Sequence, residues 1–133
     1  MSFIPSQYTT FSVISSGVPV MTAGSPVDMG IIAIPPGLVP WVPVRATAYS
    51  LTTGGTMVDA SYQIRTAAAG AGVGIMSGTW TMPFLTTTGN VQRCDGTGLL
   101  SGVFETSLYI RQLTNSANTG SIVFTVNLAK VGL

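Results

Sequence analysis

Cys94 is the only thiol in the chain, and it lies between Arg93 and Asp95. A reactive cysteine needs a neighbour that stabilises its thiolate. The chain has no histidine to act as that neighbour, as a general base or as a metal ligand. Cys94 is therefore read as a small buried apolar residue. Four carboxylates remain, Asp28, Asp59, Asp95 and Glu105. They are far apart in sequence, and no spacing among them suggests an acid–base pair or a metal cage. The stretch "AAAGAGVG" (Ala67 to Gly74) invites comparison with a dinucleotide-binding loop. Ile75 stands where the third glycine of that motif belongs, and no helical pattern follows. Ser and Thr are abundant, but a nucleophilic hydroxyl needs a base and a group to orient it. The residues thus predict no enzyme, no metal and no cofactor. Trp41, Tyr49, Tyr62, Trp80 and Tyr109 would suit a sugar-stacking platform. The preferred reading makes them core fillers whose polar tips reach a partner.

The elements that carry these residues are strands. Val42 to Leu51 alternates Val42, Val44, Ala46 and Ala48 against Arg45, Thr47, Tyr49 and Leu51. Thr52-Thr53-Gly54-Gly55 supplies a turn, and Met57 to Thr66 resumes with Val58, Ala60, Tyr62 and Ile64 on one face. The pattern predicts a hairpin of these two segments. Further strands are expected over Phe11–Ser15, Val18–Met21, Val27–Ile34, Gly72–Thr81, Val91–Cys94, Phe104–Leu113 and Ser121–Lys130. No window holds an apolar period near 3.6, so helices are not expected. About eight short strands separated by turn residues in one 133-residue chain predict a single all-β antiparallel domain, a sandwich or barrel. The core is expected to include Ile122, Phe124, Val126 and Leu128, with Phe104, Leu108 and Ile110 beside them.

Charge narrows the function. Only 7% of residues are charged, for a net charge of +1, and the charges are scattered singly. About a quarter is usual for a globular domain. No basic stripe exists to neutralise phosphates, so nucleic acid is not an expected partner. Four prolines interrupt the apolar stretch Met29 to Val44, so no membrane-spanning helix is expected there. A charge-poor surface suits a subunit of an assembly better than a free monomer. The outward side of the last strand, with Thr125 and Asn127, is small, polar and uncharged, and is read as a partner contact. "IPPGLVPWVPV" (Ile34 to Val44) contributes Leu38 and Trp41, with Trp41 either plugging the sandwich end or presented as a stiff contact. Residues 1–10 are read as an extended arm or a local first strand, with Phe3, Ile4 and Tyr8 as contact residues.

The closing pair "FETSLYIRQLTNSANTGSIVFTVNLAKV" resembles the last strands of jelly-roll head-decoration (cement) proteins of tailed bacteriophages. Similar strand pairs occur in head-fibre and tail-fibre tips. The resemblance implies an eight-stranded jelly roll, a homotrimer and the major capsid protein as partner. It places the protein on the outer surface of a virion, where it stabilises the head. A receptor- or glycan-binding fibre tip and a small self-assembling coat protein are the alternatives.

Overall fold

Alternating apolar and polar residues give a strand one buried side, and that side needs a second sheet to cover it. A computed structural model of the chain describes residues 8–15, 18–19, 26–52, 60–76, 80–82, 91–96, 102–114 and 120–131. Nine strands run through them: β1 (Tyr8–Ile14), β2 (Val18–Pro19), β3 (Val27–Ala33), β4 (Trp41–Thr52), β5 (Ala60–Arg65), β6 (Trp80–Met82), β7 (Val91–Asp95), β8 (Ser107–Gln112) and β9 (Ser121–Val131). They form two antiparallel sheets. Sheet A has the order β1-β9-β4-β7, with β2 also on β9, and sheet B has the order β3-β8-β5-β6.

β1 and β2 act as one interrupted strand, because β1 ends its pairing at Ile14↔Thr125 and β2 resumes it at Val18↔Ile122. Counted so, there are eight strands, and their pairing is nested. The first strand pairs with the last, β3 with β8, β4 with β7, and β5 with β6. A chain doubled back at its middle and wrapped into two sheets is the jelly roll.

The core lies between the sheets. Ile122, Phe124, Val126 and Leu128 of β9 are fully buried, and Leu108 and Ile110 of β8 face them from sheet B. Burying such a side chain stabilises the fold by about 1.5–3 kcal/mol. Small residues make room for large ones, for Ala48 of β4 is the cross-strand partner of Phe124. The Phe124 ring meets Tyr62 of β5 at 5.7 Å between centroids, tilted by 59°, and so joins the two sheets. The Tyr62 hydroxyl has no hydrogen-bond partner among the described residues, and burial pushes its pKa far above the usual tyrosine value. An unmet buried hydroxyl costs about 1–3 kcal/mol. Tyr62→Phe is therefore expected to raise stability by about 1 kcal/mol, read as a higher urea midpoint.

Several expectations are corrected. β4 and β5 do not form a hairpin, since β4 pairs with β9 and β7 while β5 pairs with β8 and β6. β4 lies in sheet A and β5 in sheet B, which turn residues alone do not reveal. Gly72–Thr81 is not one strand. Gly74 and Met76 make isolated bridges, and only Trp80–Met82 is a strand, with residues 77–79 outside the described set. Phe104 is 69% exposed, because the chain is not yet extended into β8. Val103 is buried in its place and exchanges both backbone hydrogen bonds with Trp41. Tyr8 to Thr10 belong to β1, paired with Val131 to Ala129, so the arm reading does not hold for them.

Candidate functional site

Sheet A has one side in the core, so the register determines what its other side shows. The residues facing outward form rows across the strands. One row runs Ile14, Thr125, Thr47, Arg93, the next Ser12, Asn127, Arg45, Asp95, and a third Val123, Tyr49, Val91. Ile14, Tyr49 and Val91 are exposed, while Thr125, Asn127 and Val123 at the centre are half-buried by their neighbours. Charge appears in these rows only at Arg45, Arg93 and Asp95, on the β4–β7 side. The β1–β9 half of the rows has none. A side this flat and uncharged is ill suited to open water and well suited to contact.

A β-bulge shapes the middle row. Pro43 pairs with Leu128 and Arg45 with Asn127, which leaves Val44 as an extra residue in β4. Trp41 and Pro43 thus point inward before the bulge, and Ala46 and Ala48 after it. Val44, expected on the core side, is instead 37% exposed. The Gly96 amide donates to the Val44 carbonyl at 2.8 Å and pins the bulge. A Cβ on Gly96 would lie 2.6 Å from the Pro43 carbonyl oxygen. Gly96→Ala is expected to cost about 1–3 kcal/mol through this overlap, measured by denaturant unfolding.

Beside the bulge lies a depression of about 280 Å³ lined by Thr10, Phe11, Ser12, Val44, Arg45 and Asn127. The Ser12 hydroxyl donates to Asn127 Oδ1 at 2.8 Å and fixes the amide.

The expected contact residues are not gathered at one place. Thr125 and Asn127 lie at the centre of the outer face. Leu38 is half-buried against the core. Trp41 is fully buried, with its indole N–H donated to the Glu105 carbonyl at 2.9 Å, so it plugs the sandwich and offers a partner no surface. Tyr8 starts β1, and Phe3 and Ile4 lie outside the described residues. Ser12 and Arg45 belong to the face but were not singled out from sequence, and Tyr49 was read only among the aromatics, because only the sheet order brings them beside β9.

The other chemical candidates are accounted for structurally. Cys94 pairs with Ala46 and packs against the core. Asp28 accepts from Arg111 at 3.1 Å and from the Ala69 amide at 2.7 Å, while Arg65 donates to the Ala71 and Gly72 carbonyls at 3.1 and 2.9 Å. These bonds fold "AAAGAGVG" onto the outside of sheet B. Trp41 and Tyr62 are in the core, and Tyr49 and Tyr109 stand on opposite sheets, so these four build no common stacking platform. Among the described residues no three of Asp, Glu and Cys gather as a metal site, and no helix is long and apolar enough to cross a membrane.

The fold is one also found in a phage capsid. A chain of the cyanophage Pam1 capsid asymmetric unit is similar over 97% of this chain and 90% of its own length, with a TM-score of 0.55 and 16% identity. At that identity the likeness establishes the fold. Lower likenesses are to the tobacco streak virus coat protein, with a TM-score of 0.44 and 8% identity, covering 97% of this chain and 90% of the other. A protein of the Bacillus endospore appendages, described as disulfide-linked pili, has a TM-score of 0.43 and 9% identity, covering 96% and 90%. Neither supports a functional argument. No protein-family model matches the sequence, and no curated protein matches it.

Proposed function

We propose that this protein is a virion structural subunit that decorates the outside of a capsid. It acts as a homotrimer, docks on the major capsid protein through the outer face of sheet A, and carries out no reaction. The observation that carries this reading is the uncharged strip formed by β1 and β9, with Ser12, Ile14, Val123, Thr125 and Asn127. The jelly roll and its likeness to a phage capsid chain support the same setting.

Size favours an assembly over a lone subunit. Four strands about 4.8 Å apart, over seven residues of about 3.4 Å each, give a flat patch of roughly 450 Å². A stable interface needs about 800 Å² from each partner. Several modest contacts on one trimer would supply the remainder, because linked sites multiply affinity. The added contact area between capsid subunits is what would make the head resist heat.

The test adds purified protein to undecorated mature capsids at low and high salt, then measures retained protein and capsid melting. Retention at both salts with a raised capsid melting temperature is expected, since few charges are available to screen. Loss at moderate salt would point to a charge-driven partner. No retention at any salt would shift the reading to a fibre tip.

A further inference from the structure

We infer that the depression beside the β4 bulge is a binding site for a carboxylate, shaped for an Asp or Glu side chain presented by a protein partner. The inference goes beyond the capsid reading and does not need it.

The first argument is donor chemistry. The bulge turns Arg45 outward opposite Asn127. The Arg45 side chain has no hydrogen-bond or ion-pair partner among the described residues. Its guanidinium offers a planar fork matched to two carboxylate oxygens. Asn127 Oδ1 is occupied by the Ser12 hydroxyl, and this turns the amide so that Nδ2 is left to donate. Arg45, Asn127 and Thr10, three residues with side-chain donors, thus line one depression, whose lining contains no acidic residue. Asp95 is the cross-strand neighbour of Arg45 on β7, yet it forms no ion pair with it. The cation stays available.

The second argument is size and charge. A volume of about 280 Å³ lies at the bottom of the range of ligand pockets, about 300–1,000 Å³, and admits a whole acidic side chain. A phosphate carries up to two charges, and Arg45 is the one cation in the lining. A sugar ring needs an exposed aromatic surface, whereas Phe11 is packed against the core. A single carboxylate matches a single arginine. Alone in water such a pair is weak. Beside the uncharged β1–β9 strip, and covered by the protein partner that presents the carboxylate, it would fix register and orientation.

The test uses the isolated, isotope-labelled protein and no capsid, so its failure leaves the capsid reading standing. The peptide Ac-Gly-Glu-Gly-NH2 is titrated while the Arg45 Nε–H and Asn127 Nδ2–H2 resonances are followed by NMR, with Ac-Gly-Gln-Gly-NH2 and inorganic phosphate as comparison arms. Saturable shifts at both groups are expected with the Glu peptide, at an affinity of tens of millimolar and roughly tenfold tighter than with the Gln peptide. At Asn127 Nδ2–H2, the reporter that both variants keep, Arg45→Gln should abolish the shift and Arg45→Lys should weaken the binding several-fold by losing the fork. The remaining spectrum of each variant reports that the fold is intact. The inference is overturned by no saturable shift up to about 100 mM peptide, a concentration that reveals binding worth about 2 kcal/mol or more. It is equally overturned by equal binding of the Gln peptide, by tighter binding of phosphate at the same groups, or by unchanged binding in Arg45→Gln.

Discussion

Phe124→Asp leaves the chain unfolded, whereas Phe104→Asp leaves it folded. Phe124 is fully buried at the middle of β9, an interior strand, and its ring meets Tyr62 across the core. Its backbone is tied in as well, with the amide donating to Ser15 Oγ and the carbonyl accepting from the Ser15 amide, both at 2.9 Å. Losing a buried phenyl costs about 3–5 kcal/mol. An unpaired carboxylate in its place adds several kcal/mol more. Together these reach the whole stability of an ordinary domain, about 5–15 kcal/mol. Phe104 is 69% exposed, and a carboxylate there enters water. Its effect should stay within about 0.5 kcal/mol. Far-UV circular dichroism and soluble yield of the two variants check both outcomes. A folded Phe124→Asp would mean that the sandwich core lies elsewhere.

Thr125→Asp is expected to abolish the proposed capsid attachment while the fold survives. Thr125 lies between Ile14 of β1 and Thr47 of β4, in the uncharged β1–β9 half of the outward rows. Asp is a poor strand residue, and the cost to folding is about 1 kcal/mol. At a docked face the same carboxylate is stripped of water without a partner. A penalty of about 3–5 kcal/mol lowers affinity by more than a hundredfold. Thr125→Val keeps the shape without the charge and should attach as the parent does. Co-sedimentation with capsids and melting of the free variants separate the two effects. Equal attachment of both variants would remove this face from the contact.

Much of the fold was legible because a strand's period of two is local. In β9 the alternation places Ile122, Phe124, Val126 and Leu128 inside and Thr125 and Asn127 outside, as found. What periodicity cannot give is the neighbour. Tyr62 and Ile64 were rightly turned inward, yet β5 was given the wrong partner, because faces are set within a strand and pairing across the chain. The bulge at Val44 shifted the inward set of β4 by one residue, and the amide that bonds it there belongs to Gly96, remote in sequence. Trp41 was open to two readings until its indole N–H was placed on Glu105. The candidate face was half legible. β9 supplied Thr125 and Asn127, and the register supplied Ser12, Ile14, Arg45 and Tyr49.

The central claim is that sheet A, not sheet B, meets the capsid. Hydroxyl-radical footprinting of the protein free and capsid-bound tests it directly, because large apolar side chains are exposed on both sides. Ile14, Tyr49 and Val91 mark the sheet A face, and Ile31 of β3 and Val73 of the loop after β5 mark the other. The account predicts that binding protects Ile14, Tyr49 and Val91 while Ile31 and Val73 react as before. Protection of Ile31 and Val73 with Ile14, Tyr49 and Val91 unchanged would contradict it.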